Sequence, residues 1–206
     1  MIKCWNYICK GDLMILSITK DIAKLLKIDT KNMISHSRQF TEPTPLLDDW
    51  VMGLEFADEG CYAVYLIHAH SGLLLYEIAA KAELELFLAL FAQQLHDVIK
   101  GLKLNPAKYM KYFNRLFDQI ILVKNDNRSI SASIGQIKTH IEIMEDKAYW
   151  VNLPLDTLEV INHYNNLIQR KHEWLSPFEV FRELLIKHHN DDVLIKPMEA
   201  ANETFH

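Results

Sequence analysis

The stretch WVMGLEFADEGCYAVYLIHAHSGLLLYEIA, residues 50–79, decides the fold class because three β-prone runs are joined by two short turns. The turns contain DEG and HSG, and short glycine-containing turns between apolar runs are typical of β-hairpins. Residues 50–78 are therefore predicted to form an antiparallel β-meander. Trp50 is expected in its core, since Trp is usually well buried.

The spacing of apolar residues changes near residue 80, from about 2 to about 3.6 residues, which indicates that helices follow the meander. Six apolar residues then recur at helical spacing: Leu84, Leu88, Phe91, Leu95, Val98 and Leu102. Five more form a second stripe: Ile130, Ile134, Ile137, Ile141 and Met144. Helices near 81–102 and 129–145 are therefore expected to pack against the meander.

Short apolar runs and capping residues predict the remaining elements. Two further strands are expected, at 13–18 (LMILSI) and at 119–124 (QIILVK). Another helix is expected over about 155–170. Three more are expected to begin at capping residues: Thr19, Asn105 and Ser176, the last with Glu179 in a capping box. Three aromatic residues near the last helix are expected in the core: Trp174, Phe178 and Phe181.

Strands in the first half and helices in the second indicate an α+β fold, an antiparallel β-meander packed by several helices with a helical C-terminal half. Residues 1–13 are interpreted as an N-terminal extension, since Met14 opens the first β-prone unit. Residues 14–188 are expected to form a single α+β domain. Residues 189–206 are expected to be a polar tail.

The composition favours a soluble protein of the cytoplasm. Of the 206 residues half are apolar and 24% charged, and no apolar run approaches the roughly 20 residues of a membrane span. We expect no membrane partner and no signal peptide. The three cysteines form no CxxC pattern, so they are expected to be reduced thiols. With only six glycines and no glycine-rich phosphate loop, we expect no cofactor.

The charge is uneven along the chain. The whole protein carries a net charge of −5, yet residues 100–138 contain eight basic and two acidic residues, a local charge of +6. This asymmetry has two interpretations: solvated helix faces, or a local anionic partner.

The stretch KNDNRS, residues 124–129, lies where the predicted strand 119–124 meets the predicted helix 129–145. The first backbone N–H groups of a helix have no intrahelical partner and lie at the positive end of its dipole. This junction is predicted to hold phosphate or carboxylate. The predicted anion-binding residues are Asn125, Asn127, Arg128, Ser129, Ser131 and Ser133.

A simpler interpretation of the same stretch needs no ligand. Asn127 or Ser129 then caps the helix, and Arg128 pairs with a neighbouring carboxylate such as Asp126. Both interpretations stay open at this point.

His68 and His70 lie two residues apart, which in a strand places them on one face. They are candidate metal ligands only if Asp48, Asp49 or Cys61 joins them, because closed metal sites need three or four ligands. The alternative is a pair of histidines beside solvent at the end of a hairpin. We therefore predict no metal site here.

The chain resembles an uncharacterised bacterial domain-of-unknown-function family. The resemblance covers about residues 14–174 and rests on LSITKDIAKLLKI, on DDW before the hairpins, and on KNDNRSISAS before a helix. Five residues match its pattern: Trp50, Asp126, Arg128, Ser129 and Ser133. Asn125, Asn127 and Ala132 stand where the family tends to have Thr, Asp and Gly. The resemblance implies fold and kinship but no activity.

Three functions remain open. The first is a non-enzymatic binding module of the bacterial cytoplasm, with a phosphate-bearing ligand or nucleic-acid backbone at the start of helix 129–145. The second is a phosphodiester-acting hydrolase or nuclease that uses Arg128 with His68 or His70. The third is a protein-interaction module of a toxin–antitoxin or defence pair. Broad nucleic-acid binding is not expected, because it needs an extended positive surface.

Overall fold

Five strands form one sheet in the computed structural model, which describes residues 14–33, 35, 47–58, 61–125, 128–150, 157–167, 169 and 173–189. The strands are β1 (Met14–Ile18), β2 (Asp49–Asp58), β3 (Cys61–His68), β4 (Leu74–Ala79) and β5 (Ile120–Lys124). Their order across the sheet is β4-β3-β2-β1-β5. The predicted N-terminal extension, 1–13, and most of the predicted tail, 189–206, lie outside the described residues.

The sheet is mixed. Strands β2, β3 and β4 form the predicted antiparallel meander, whereas β1 pairs in parallel with both β2 and β5. Parallel strands need a long crossover connection. About 30 residues separate β1 from β2, and two helices separate β4 from β5. The α+β class is therefore confirmed, with a placement of the parallel strands β1 and β5 that apolar patterning does not encode.

Six helices lie within the described part of the chain. They are α1 (Lys20–Leu25), α2 (Leu84–Gly101), α3 (Pro106–Asp118), α4 (Arg128–Trp150), α5 (Thr157–Asn165) and α6 (Pro177–His189). The predicted caps are confirmed: Thr19 Oγ1 accepts the Ile22 N–H, and Asn105 Oδ1 accepts the Ala107 N–H. The predicted helix 129–145, which carries the second apolar stripe, is part of the longer helix α4.

Helices cover both faces of the sheet. On the first face, Leu16, Trp50 and Leu66 pack with residues of α1, α2, α3 and α6. On the second face, Tyr65 and Tyr76 pack with residues of α4 and α5. Strands that are covered on both sides are apolar at successive positions instead of alternating. This explains the continuous apolar run in β3.

The predicted core aromatics do not all lie in the core. Trp50 and Phe181 are buried, with Trp50 only 1% exposed, and Phe178 is half-buried against both faces. Trp174, in contrast, is 67% exposed. It precedes α6 in a turn with φ of 71°, so its side chain does not share the buried helix face that its spacing suggested. Its predicted burial was wrong.

No helix within the described ranges combines the length and the apolar character that a membrane crossing requires.

Candidate functional site

The parallel strands β1 and β5 end together. Ile18 pairs with Lys124 in the register of the two strands, and the Asn125 N–H donates to the Ile18 carbonyl at 3.4 Å. Ser35, from the segment after α1, forms an isolated parallel bridge with Lys124. Three stretches of chain therefore meet at the carboxyl end of β5.

From this point the chain continues to opposite faces of the sheet. After β1 it enters α1, whose Ile22 and Ala23 belong to the core of the first face. After β5 it enters α4, whose Ile137 and Ile141 belong to the core of the second face. Where the connections of neighbouring parallel strands diverge in this way, a crevice opens beyond their carboxyl ends, and open α/β sheets bind ligands there.

A cavity of about 110 Å³ lies at this divergence. Its lining comes from the end of β1 and the residues that follow it, from the turn after α1 and from the end of β5: Ile18, Thr19, Lys20, Thr30, Met33, Lys124 and Asn125. Whole small molecules generally occupy about 300–1,000 Å³. The cavity therefore has room for one phosphate or carboxylate group.

The polar groups of this cavity suit an anion. Lys20 and Lys124 are exposed and bring two ammonium groups, while Thr19 and Thr30 bring hydroxyls. No carboxylate is among the described lining residues. The nearby Asp29 carboxylate accepts the Lys31 N–H at 2.9 Å and so caps the short 3₁₀ turn Thr30–Asn32.

One of the predicted anion-binding residues, Asn125, lies in this lining. Helix α4 begins at Arg128, three residues further on. Asn127 lies outside the described residues, as do the side chains of Arg128, Ser129, Ser131 and Ser133. Their role in anion binding stays a prediction.

Sequence reasoning missed the lining residues that lie at the end of β1 and shortly after it in the chain. Thr19 was identified only as a helix cap, and Lys20 and Thr30 were not singled out. The pairing of β1 with β5 joins residues more than 100 positions apart, and nothing in local periodicity signals it. Only the strand order brings SITK (17–20) beside KN (124–125).

His68 stabilises the turn between β3 and β4. Its ring is buried between Trp50 and Phe181, with ring centroids 4.8 Å and 5.2 Å away. Its Nδ1 lies 2.8 Å from Ser71 Oγ and accepts the Ser71 N–H at 3.2 Å. Because Nδ1 accepts an amide proton, it is the unprotonated nitrogen of the ring. These contacts between His68 and Ser71 stabilise the turn of the β3–β4 hairpin.

His70 lies in the same turn, with its ring centroid 6.0 Å from that of His68. Its Nε2 is buried without a hydrogen-bond partner in the described coordinates. Asp48, also buried, accepts a hydrogen bond from the Tyr112 hydroxyl. Across the described ranges, no group of three or more His, Cys, Asp or Glu residues is arranged to hold a metal ion.

His68 and the start of α4 lie at opposite ends of the parallel strands, His68 near their amino ends and α4 beyond their carboxyl ends. His68 pairs with Trp50 at the amino end of β2, and β2 runs parallel to β1 and β5. Arg128 begins α4 beyond the carboxyl end of β5. The structure therefore does not bring His68 and His70 together with the start of α4, the combination that the hydrolase hypothesis requires.

These features define an α+β protein with a mixed five-stranded sheet, helices on both faces and a small polar cavity where two parallel strands end. A family model described as a domain of unknown function, DUF6933, matches residues 15–180. The chain belongs to this family, which confirms the resemblance to a family of unknown function. Searches among curated proteins and among solved structures returned no match.

Proposed function

We propose that this protein is a non-enzymatic binding module that takes a phosphate-bearing small molecule by its phosphate group, beyond the carboxyl ends of β1 and β5. The observation that carries the proposal is the 110 Å³ cavity where the chain leaves these strands for opposite faces of the sheet. Its position matches the place where open α/β sheets bind ligands.

The chemistry of the lining supports an anionic ligand. Two lysines act as point charges, and lysine is a common phosphate binder. Helix α4 begins three residues after Asn125, so its amino end, with partial positive charge, follows the cavity in the chain. The predicted contacts of Asn127, Arg128, Ser129, Ser131 and Ser133 extend this site.

The net charge of the chain favours a small phosphate-bearing molecule over a nucleic-acid backbone. Nucleic-acid binding needs an extended positive surface, whereas this chain carries a net charge of −5. A location in the bacterial cytoplasm stays a prediction. A role as one half of a protein pair stays a prediction too.

Inorganic phosphate is the probe that tests this proposal. We expect saturable binding, measured by amide chemical-shift titration, with the largest changes at Thr19, Lys20 and Asn125. The double variant Lys20→Ala/Lys124→Ala should weaken binding about fivefold to thirtyfold, because two exposed charges at about 0.5–1 kcal/mol each contribute about 1–2 kcal/mol together. Binding should also weaken at high salt.

Lys111→Ala, which removes an exposed lysine of α3, is the matched control and should bind phosphate normally. Equal weakening in this control would mean that phosphate binding depends only on the net charge of the protein. That result, or the absence of saturable binding in the wild type, would overturn the proposal.

A further inference from the structure

Two histidines meet between α4 and α5, the helices that cover the second face of the sheet. His140 Nε2 of α4 and His163 Nδ1 of α5 lie 3.2 Å apart. The two rings are nearly parallel, inclined by 28°, with centroids 4.8 Å apart. Both side chains reach solvent, His163 the more so. A binding partner therefore has access to them.

We propose that His140 and His163 bind a transition-metal ion of the Zn²⁺ class, with His140 Nε2 and His163 Nδ1 as its two protein ligands. Zinc binds imidazole nitrogen at about 2.0–2.1 Å, and a tetrahedral ion therefore separates two such nitrogens by about 3.3 Å. The observed 3.2 Å separation matches this spacing. Both nitrogens belong to rings held on packed helices.

The groups around His140 and His163 favour the binding of a cation. The buried ring of Tyr164 contacts the His140 ring edge-on, with centroids 5.5 Å apart, and so holds its orientation. Burial, and after it the neighbouring His163, lowers the pKa of His140. The neutral ring is the form that ligates metal.

Beside the pair lies a surface depression of about 680 Å³, lined by Glu159, Asn162, His163, Asn166 and Leu167. Glu159 lies one helical turn before His163, so a carboxylate and amide oxygens face the same space. The described residues contain no preformed group of three or more His, Cys, Asp or Glu ligands. The proposed site is therefore an open one with two protein ligands, unlike a closed site, and water completes the coordination of the ion.

The two nitrogens share one proton when the site holds no ion, since a hydrogen bond between neutral imidazoles needs one donor and one acceptor. A bound ion takes the place of that proton. The proton moves to the other nitrogen of the same ring, so each imidazole stays neutral. Imidazole ligands favour Zn²⁺, Ni²⁺ and Cu²⁺ over Mg²⁺ and Ca²⁺.

Zn²⁺ titration of the full chain by calorimetry near neutral pH tests this proposal. We expect one ion to bind at this site, Mg²⁺ not to compete, and Zn²⁺ to raise the melting temperature of the wild type. His140→Ala and His163→Ala should each lower the affinity about tenfold or more, because even indirect partners of a metal ligand cost that much.

His96→Ala is the matched control, since His96 is an exposed histidine of α2 beside a carboxylate, with Nδ1 3.2 Å from Asp97 Oδ1. It should bind Zn²⁺ as the wild type does. Cu²⁺ bound to the wild type should show two nitrogen ligands by electron paramagnetic resonance, a readout that does not depend on how well the variants fold. Unchanged affinity in His163→Ala, or a single nitrogen ligand, would overturn the proposal.

Discussion

The side-chain amide of Asn165 forms hydrogen bonds with both the backbone N–H and the backbone carbonyl of Leu74. Its Oδ1 accepts the Leu74 N–H at 2.8 Å, and its Nδ2 donates to the Leu74 carbonyl at 2.7 Å. Gln94 does the same for Tyr76, accepting its N–H at 3.0 Å and donating to its carbonyl at 2.6 Å. The two amides come from helices on opposite faces of the sheet. Together they cover edge strand β4, where unpaired backbone groups would otherwise invite another strand.

Asn165→Ala should destabilise the protein by about 2–4 kcal/mol, because two buried backbone groups of Leu74 lose their partners. It should also promote aggregation through β4. Urea unfolding measures the first effect and light scattering the second. Asn166→Ala, at the neighbouring exposed position, is the control and should cost about 0.5 kcal/mol or less. Equal losses in the two variants would contradict the role given to Asn165.

Gly53→Ala should destabilise the protein by about 2 kcal/mol or more. Gly53 lies opposite Tyr65 in the β2–β3 register, and a methyl group there would overlap the buried Tyr65 ring. Gly135→Ala is the control, because among the described residues no atom outside the local backbone of α4 lies within 4 Å of its added carbon. That change should stabilise the helix by up to about 1 kcal/mol. Thermal unfolding of both variants should shift in opposite directions; a shared direction would refute this account.

Glu179 should make stability depend on pH in the acid range. Hydrogen bonds from the Ser176 N–H, at 2.7 Å, and then from the Ser176 hydroxyl, at 2.8 Å, lower the pKa of Glu179 below its ordinary 4.5. A lowered folded-state pKa gives stability that is present above the unfolded value and lost as the pH falls through the folded value.

Glu179→Gln should therefore cost about 1 kcal/mol, the usual contribution of a helix cap, at about pH 7, and progressively less as the pH falls below the ordinary glutamate range. Urea unfolding over a series of pH values from neutral to acid measures the change. Glu183→Gln, on an exposed position of the same helix α6, is the control. A cost for Glu179→Gln that does not change with pH would show that the carboxylate charge is irrelevant.

Arg128→Ala should weaken phosphate binding by about 1.5–3 kcal/mol, the scale of a charge-assisted hydrogen bond, and leave the helical content intact. Calorimetry at low and at high salt measures the loss, and circular dichroism checks the helices. If the variant instead melts many degrees lower and binds phosphate normally, Arg128 is a structural ion-pair partner. KNDNRS then serves to begin α4.

Local patterns in the sequence predicted much of the fold. The period of apolar residues located the meander and the helices α2 and α4, and Ser176 with Glu179 marked the start of α6. These signals work because a helix cap or a hairpin turn depends on residues only a few positions apart. Of the predicted anion-binding residues, Asn125 lies in the lining of the cavity, and anion binding at this junction stays a prediction.

By itself, then, the sequence determined the α+β class, the type and approximate bounds of the main elements, and several of their caps. Only the tertiary structure decided that β1 lies between β2 and β5, that Thr19 and Lys20 face Lys124, and that His140 meets His163. Strand order and helix packing depend on contacts between residues far apart in the chain. Periodicity says which face of an element is buried, but it does not say which partner covers that face.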